Sequence, residues 1–446
     1  MDEKVWDETP VVSEPIYKID ERPSSSVESI LYAWQHTLVD ISPFVLPLAV
    51  ASAMEMSQTQ GAKFVNFCLF AMGISTLIQT TFGNRLPIIQ GPSATHTAVL
   101  KTVGPICGSA TMWFAIFIGG LFEMLLGVVG ALRFLRKIFP IAVSGCVVTC
   151  IGLSLGQVAM GWTIGSGDPS HLMLACSVIA MILGLQILAK NILNGLLSRA
   201  AVFISIWVVG LGIASLWGMV NWEIVAQKPW FSLPEIYPYP FSGFSWNEAF
   251  FAAIVGIIAG YTGSILESIG DYAATCAACG ETYRVSHMNR GIAAEGFSCM
   301  LSALLGAMPC TSYSQNIGII NTTRIASRFV VQIAAVILIL YGLCPKFGAL
   351  LVAMPRSVLG AVFVVVCGMI CVSGIRLLAA AKNTQENSLI IGITLVCALS
   401  IPSIVKTQNW NLPLAVEILT SNTVVVAVVV GVFLNIVLGR QHSSSL

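Results

Sequence analysis

The sequence has very little charge. Only 10% of its 446 residues are Asp, Glu, Lys or Arg, whereas 56% are hydrophobic and the mean hydropathy is +0.85. Because about a quarter of a soluble globular chain is charged, this composition cannot cover a water-exposed surface. It therefore excludes soluble enzymes and nucleic-acid binders. The long apolar runs predict an all-α polytopic membrane protein, since they lack the alternation of membrane barrel strands.

We do not expect residues 1–29 to be a secretory signal. A secretory signal needs a basic start followed by an apolar stretch, but residues 1–29 hold eight acidic and three basic side chains. We interpret them as a polar cytoplasmic tail. Motifs for a metal, a haem or a nucleotide are also missing, and no Ser/His/Asp set has support from its surroundings. The sequence thus predicts neither an enzyme nor a cofactor.

Apolar runs of roughly 17–25 residues mark membrane-spanning helices. Seven such runs precede a more polar segment at 221–248, and seven follow it. The first seven are predicted near Ile30–Met54, Phe64–Gly83, Pro87–Val103, Thr111–Ala131, Ile138–Met160, His171–Ala189 and Ala200–Val220. The second seven are predicted near Ala249–Thr275, Gly291–Ala307, Thr311–Thr323, Phe329–Leu343, Arg356–Leu378, Ser388–Pro402 and Thr423–Leu438.

Basic residues set the predicted orientation, because cytoplasmic loops collect Lys and Arg. With the N-terminus inside, thirteen basic residues fall on the inner side and six on the outer side. The inner set includes Arg133, Arg136, Lys137, Lys190, Arg376 and Arg440; the outer set includes Lys101 and Lys406. This asymmetry favours two cytoplasmic termini.

The two halves have similar residues at the starts of corresponding predicted spans. Phe139-Pro140 opens the fifth span and Met354-Pro355 the twelfth, each followed by a Val and a Gly at the same offsets. Each half has an odd number of spans, so the second half must be inverted relative to the first, as in secondary transporters. Spans 3 and 10 are short, polar and interrupted by Gly or Pro, which predicts broken helices at a midplane binding site. The alternative is a pair of re-entrant loops that only pack.

Two acids stand in the eighth span. Glu267 and Asp271 are four residues apart and share one helix face, and Gly256, Gly260 and Gly263 continue that face. Charges inside a membrane cost about 2.5–3.5 kcal/mol even on lenient scales, and small residues let neighbouring backbones approach. The acids therefore point into the protein. A structural ion pair is the alternative interpretation of both.

These motifs resemble the nucleobase–ascorbate transporter family. Residues 315–324 (QNIGIINTTR), continued by Ala326-Ser327-Arg328, resemble the signature of that family. Residues 267–272 (ESIGDY) resemble its eighth-span motif, and Gln35-His36 its first-span pair. Residues 287–296 (HMNRGIAAEG) are similar to the animal branch of the family.

The resemblance implies fourteen spans in two inverted repeats of seven, divided into a core and a gate domain that move by alternating access, often in a homodimer. The predicted divisions are a tail at 1–29, core spans 1–4 at 30–131, gate spans 5–7 at 132–220, an outer loop at 221–248, core spans 8–11 at 249–345, gate spans 12–14 at 346–438 and a tail at 439–446.

The resemblance also assigns the site residues. It implies that Glu267 and Gln315 hold the edge of a nucleobase, with backbone N–H groups of Ala94 and Ser314. We predict substrate binding by Glu267, Gln315, Ser314, Ala94 and Asn316, and cation coupling by Asp271, His36, Ser93 and His96, with Na⁺ or H⁺ as the cation and a sodium ion placed near Asp271. The predicted signature residues are Gly318, Thr323, Arg324 and Arg328.

Three functions fit this sequence. The first is cation-coupled nucleobase import at the plasma membrane, favoured because Gln315 stands where the ascorbate carriers usually have Pro. The second is sodium-coupled ascorbate transport, and the third is an anion exchanger-like or non-transporting relative. Ala94 stands where family members commonly carry an aromatic residue, which implies either a changed substrate choice or impaired transport.

Overall fold

The structure, a computed structural model, describes residues 15–39, 45–132, 138–165, 167–188, 196–236, 246–408, 410 and 412–438. The C-terminal tail at 439–446 and most of the N-terminal tail, at 1–14, lie outside these ranges. So do five of the basic residues behind the predicted orientation, namely Arg133, Arg136, Lys137, Lys190 and Arg440.

The described elements of the first half are mostly helical. They are α1 (Ser26–Val39), α2 (Val45–Ala53), α3 (Gln58–Thr81), β1 (Gln90–Pro92), α4 (Ala94–Cys107), α5 (Ser109–Val129), α6 (Ile141–Ile164), α7 (Pro169–Leu188), α8 (Leu196–Arg199), α9 (Ala201–Ser205), a π-helical segment (Ile206–Ile213), α10 (Ala214–Leu216) and α11 (Trp222–Ala226).

The second half follows a similar plan. Its elements are α12 (Glu248–Ala278), α13 (Val285–Leu304), β2 (Cys310–Ser312), α14 (Ser314–Thr323), α15 (Arg328–Gly342), α16 (Pro345–Ala353), α17 (Arg356–Ala380), α18 (Gln385–Gln408), α19 (Leu414–Ser421) and α20 (Thr423–Leu438).

Seven of the described helices are long and apolar enough to cross a membrane, namely α3, α5, α6, α7, α12, α17 and α18. An eighth span arises if α15 and α16, which meet at 74°, are counted as one broken span. The protein is thus a multi-pass membrane protein, and the count of fourteen spans stays a prediction. Large apolar side chains exposed on α7 and α18 give these helices a surface suited to lipid.

Several predicted boundaries agree with the structure. Helix α20 has the predicted bounds, and α6 and α17 each begin directly after the paired prolines, Pro140 and Pro355. Four short helices, α8, α11, α16 and α19, were not predicted. Helix α16 packs on α3, where the backbone N–H of Gly348 donates to Asn66 Oδ1 at 2.9 Å. The predicted core–gate boundary at 345/346 therefore falls at the start of a helix that contacts a predicted core span.

The segments predicted as spans 3 and 10 each consist of a short strand followed by a helix. Strands β1 and β2 pair antiparallel, with Gln90 opposite Ser312 and Pro92 opposite Cys310. The ring of Tyr313 crosses β1, and its hydroxyl donates to Pro92 O at 2.8 Å. A Cβ at Gly91 would lie 2.5 Å from that ring, so glycine is required there. This pairing brings the first turns of α4 and α14 close together in the interior.

The end of the N-terminal tail is ordered against the signature. The backbone N–H of Ile16 donates to Arg324 O at 2.7 Å, and the N–H of Ala326 donates to Tyr17 O at 2.9 Å. Arg328 Nε donates to Asp20 Oδ1 at 2.6 Å. Residues 16–20 therefore form a strap over the loop between α14 and α15, where the sequence indicated only a polar tail.

Candidate functional site

A cavity of about 660 Å³ lies between α12, the first turn of α14 and the face of α17. Glu267 and Asp271 of α12 line one wall, together with Ser314 and Gln315 of α14. Val148 of α6 and residues 365–377 of α17 line the opposite wall. Four of the nine predicted binding and coupling residues therefore meet in one cavity, which separates a predicted core face from a predicted gate face.

Close packing along α12 positions the two acids. The helix is capped by Asn247, whose side chain accepts the N–H of Phe250 at 3.0 Å. A Cβ at Gly260 would lie 3.2 Å from Val99, and one at Gly263 would lie 2.9 Å from Thr95. The predicted stripe of small residues thus holds α12 tightly against α4, which fixes the direction in which Glu267 leaves the helix.

The carboxylate of Glu267 has a partner from the other half of the chain. Thr95 Oγ1, in the first turn of α4, donates to Glu267 Oε2 at 3.3 Å. We did not predict a role for Thr95, because a threonine in a polar segment gives no distinct signal in the sequence. Its hydroxyl orients the carboxylate and engages one of its oxygens, Oε2.

Asp271 belongs to a chain of hydroxyl groups. Ser312 Oγ of β2 donates to Asp271 Oδ2 at 2.9 Å and lies 3.0 Å from Ser268 Oγ. Ser268 Oγ in turn donates to Glu295 Oε1 at 2.7 Å. Asp271 is therefore connected through two serines to a third acid, Glu295.

Gln315 presents an unsatisfied amide at the cavity. Its Oε1 atom is buried and has no hydrogen-bond partner among the described residues. Because such an atom costs about 1–3 kcal/mol, the arrangement favours a ligand that donates a hydrogen bond there. The first turn of α14 also directs backbone N–H groups without intrahelical acceptors toward this end of the helix.

Some predicted residues lie apart from the cavity. Asn316 is fully buried, and its Oδ1 atom lies 3.2 Å from His36 Nδ1. The prediction that Asn316 contacts substrate therefore has no support from the geometry, since its amide faces α1. His36 does not line the cavity either, and its predicted coupling role remains a prediction.

The first turn of α4 supplies structure rather than cavity surface. Ser93 is the N-cap, and its Oγ accepts the N–H of His96 at 3.3 Å. His96 is fully buried, with its ring 4.3 Å from the ring of Tyr261. Ala94 is 8% exposed and does not line the cavity, although its neighbour Thr95 reaches Glu267. The cation roles predicted for Ser93 and His96, and the backbone contact predicted for Ala94, have no geometric support here.

The other signature residues shape the end of α14. Arg324 adopts a left-handed conformation (φ 61°) that ends the helix, and Thr323 Oγ1 accepts the N–H of Ile325 at 3.3 Å. Arg328 is buried and also donates to Thr80 O at 3.2 Å. A Cβ at Gly318 would meet no atom within 4 Å, so packing does not explain that glycine.

The described residues do not form a cluster of metal ligands. Within the described ranges, no group of three or more His, Cys, Asp or Glu side chains is arranged to hold a metal ion. The sodium ion predicted near Asp271 stays a prediction.

Solved structures share the fold. The transmembrane domain of a cyanobacterial bicarbonate transporter, BicA, aligns with a TM-score of 0.60 at 15% identity, covering 92% of this chain and 99% of that chain. The anion transporter SLC26A9 aligns with a TM-score of 0.64 at 12% identity, covering 93% of this chain and 65% of that chain. At these identities the likeness concerns the fold alone.

Sequence relatives give the family. A xanthine permease of Bacillus subtilis is 31% identical over 420 residues, covering 90% of this chain and 92% of the relative. A uric acid transporter of Escherichia coli is 29% identical over 451 residues, covering 96% and 91%. Both are bacterial, so the animal-like branch has no support from them. The model of the nucleobase–ascorbate transporters, described as a permease family, matches residues 27–407, and the chain therefore belongs to this family.

Proposed function

We propose that the protein imports nucleobases, with xanthine-like or urate-like purines as the first candidates, by cation symport. One observation carries this proposal: the carboxylate of Glu267 and the unpartnered amide oxygen of Gln315 line the same cavity. The names of the bacterial relatives, a xanthine permease and a uric acid transporter, support the purine class.

The chemistry of the cavity suits a nucleobase edge. A base presents N–H donors and C=O acceptors side by side in one plane. A carboxylate accepts from N–H groups, whereas an amide both donates and accepts. Each hydrogen bond to the charged Glu267 would contribute about 1.5–3 kcal/mol, and Gln315 would read the neighbouring atoms of the same edge.

Alternating access would expose this site to each side in turn. A second cavity of about 1200 Å³ is lined by Lys101 and Lys406, which we predict at the outer side, whereas the base cavity is lined by Arg376, which we predict at the inner side. Between them, Gly263 packs against Thr95 and Val147. This arrangement supports an inward-facing conformation with a closed seam between the two cavities.

Two sets of contacts would hold the outer side closed. Lys101 Nζ of α4 donates to Ser154 Oγ of α6 at 2.9 Å. Asn422, just before α20, donates to Ala98 O at 2.7 Å and to Thr102 Oγ1 at 3.1 Å, both on α4. Each joins a predicted core helix to a predicted gate helix, so we expect these contacts to break when the outer side opens.

The packing also supports two inverted repeats of seven spans. In such a plan span 2 corresponds to span 9 and span 4 to span 11. Helix α3 (span 2) packs on α15 (span 11), and α5 (span 4) packs on α13 (span 9), so the operation that exchanges the repeats converts one contact into the other. Strands β1 and β2 pair with each other in the same way.

We further propose that Asp271 responds to the coupling cation, Na⁺ or H⁺, because it borders the base cavity next to Glu267. A buried carboxylate without a cationic partner is costly, so a cation would enter before the base and establish an order of binding. The remaining elements of the proposal are a homodimer in the plasma membrane with both termini in the cytoplasm.

Uptake in cells that lack their own base carriers tests the function. We expect saturable uptake of labelled xanthine or urate that unlabelled ascorbate does not compete for. Independent variation of sodium and pH identifies the cation. Ascorbate uptake without base uptake would contradict the proposal in favour of the ascorbate carriers, and no uptake at normal surface expression would indicate a non-transporting relative.

A further inference from the structure

Resting on the proposed nucleobase transport, we propose that Glu123 and Glu295 together hold one exchangeable proton, which reaches them from the base cavity along Ser312 and Ser268. This makes a buried carboxylate pair in the predicted core domain, behind the base site, the place where the coupling cation is stored. It also commits the cation to a proton.

The route is continuous in the structure. Asp271 borders the cavity, and its Oδ2 atom lies 2.9 Å from Ser312 Oγ. Ser312 Oγ lies 3.0 Å from Ser268 Oγ, and Ser268 Oγ donates to Glu295 Oε1 at 2.7 Å. Each step is within ordinary hydrogen-bond length.

Proton transfer along this route balances. The O–H bond of protonated Asp271 breaks as Ser312 Oγ gains that proton. Ser312 passes its own proton to Ser268, and Ser268 passes its proton to Glu295. One proton leaves Asp271, one arrives on Glu295, and both hydroxyls are regenerated.

The proposed proton site includes Glu123 as well as Glu295, because Glu123 is deeply buried and lacks a cationic partner among the described residues. It is 0% exposed, and neither carboxylate oxygen has a hydrogen-bond partner among the described residues. The thiol of Cys299 lies beside it. An ionised carboxylate in such a place is too costly to persist, so Glu123 requires a proton or a positive charge.

Helix packing places the two acids at one level. Glu123 precedes Met124 on α5, and Glu295 precedes Gly296 on α13. A Cβ at Gly296 would lie 2.6 Å from Gly120 O, and one at Gly120 would lie 2.8 Å from Gly296 O. The helices therefore touch backbone to backbone beside both acids, so like charges on Glu123 and Glu295 would repel one another.

Among the described residues, the surroundings of the pair offer no counter-charge. The titratable groups that act on the pair are Cys299 of α13, Cys310 of β2, and Tyr261, Glu267, Asp271 and Tyr272 of α12. All are neutral or acidic. Because like charges this close and this deeply buried cannot both be ionised, a single proton shared by the pair relieves the repulsion.

The two acids have unequal environments. Glu295 accepts hydrogen bonds from Ser268, from Tyr272 at 2.7 Å and from Thr311 at 3.3 Å, all of which stabilise its ionised form. Within the described part of the chain, Glu123 has only the thiol of Cys299 beside it, which is a weak donor. Glu295 alone could therefore remain ionised, and it is Glu123 that makes the pair demand a proton.

Reconstituted vesicles allow this to be tested with xanthine as the probe. Exchange of labelled for unlabelled xanthine measures binding and movement without net proton flow, and an internal pH dye measures protons that enter with xanthine. We expect Glu123→Gln and, separately, Ser268→Ala to lower xanthine-driven proton entry about tenfold or more (1.4 kcal/mol) while exchange stays within about twofold.

A matched serine provides the control. Ser298 is buried on α13, and its hydroxyl donates to Ala294 O of the same helix at 2.8 Å. Ser298→Ala should keep wild-type proton entry. If Glu123→Gln does not fold, Ser268→Ala still decides the matter. Wild-type proton entry in both variants, or wild-type xanthine uptake driven by sodium without protons, would overturn the proton pair. Absence of exchange in the wild type would instead overturn the nucleobase function.

Discussion

Glu267 carries the largest expected share of base recognition, so its charge is the first perturbation to test. Glu267→Gln keeps the length and shape of the side chain. Its amide oxygen can still accept from Thr95 Oγ1, which now lies 3.3 Å from Glu267 Oε2. The packing of α12 against α4 is unchanged, because Gly260 and Gly263 form that contact. The substitution therefore isolates the charge.

The magnitude follows from the hydrogen bond that the base would lose. A bond to a charged acceptor contributes about 1.5–3 kcal/mol, and a neutral one about 0.5–1.5 kcal/mol. The difference is about 1.4 kcal/mol per bond, which is tenfold in affinity. A base that donates two N–H groups to the carboxylate would lose about a hundredfold.

Equilibrium binding of labelled xanthine to the purified protein measures this directly and does not depend on coupling. The matched control is Glu248→Gln, at the first turn of the same helix and outside the cavity. We expect wild-type affinity for the control. Binding by Glu267→Gln within about twofold of wild type would refute the assignment of Glu267 as the substrate acid.

Four further outcomes are expected. Gln315→Pro should lower base uptake about tenfold or more at normal surface expression, because the free amide at the cavity is removed. Gly368→Val should lower urate uptake more than uracil uptake. Gly368 lines the cavity and a Cβ there would meet no atom within 4 Å, so the added side chain would occupy space that the larger base needs. Asn422→Asp keeps the side-chain oxygen that accepts the N–H of Val424 at the start of α20, but it loses the amide that donates to Ala98 O and Thr102 Oγ1 of α4. The outer side should therefore open more often. A Val147→Cys reporter between the two cavities should then react faster with an impermeant thiol reagent added outside. Asp271→Asn should flatten the cation dependence of uptake while xanthine exchange persists.

Each of these has a contradicting result. Unchanged base affinity in Gln315→Pro would mean that the side chain does not touch the base, and equal loss of urate and uracil in Gly368→Val would mean a general packing defect. The control for the reporter is Asn387→Asp, because among the described residues the amide of Asn387 donates only to nearby Lys382 O at 2.8 Å. If the Val147→Cys reporter reacts as fast in this control as in Asn422→Asp, Asn422 does not hold the outer side closed. A normal cation dependence in Asp271→Asn, with loss of that dependence in Glu267→Gln, would exchange the two roles.

The sequence predicts long helices well because their signal is local. The apolar run of α20 and the prolines before α6 and α17 are each contained in one stretch of chain, and the structure agrees with them. Helices α16 and α19 were missed because nine and eight residues are too few to register as spans. The strap at residues 16–20 was missed because it pairs through its backbone, which leaves no side-chain pattern.

The candidate site was predictable where one helix supplies two residues, as with Glu267 and Asp271. It was not predictable where elements distant in the chain meet. Thr95 lies 172 residues from Glu267, and the close packing of α12 against α4 is what brings them together. Asn316 was predicted at the base, yet the turn of α14 directs its amide toward His36.

A map of the purified protein with xanthine bound, compared with a map without it, tests the central claim most directly. We expect planar density in the 660 Å³ cavity, with one edge within hydrogen-bond distance of the Glu267 carboxylate and the Gln315 amide. Xanthine density elsewhere, such as in the cavity lined by Lys101 and Lys406, or no difference between the maps at a saturating xanthine concentration, would contradict the account.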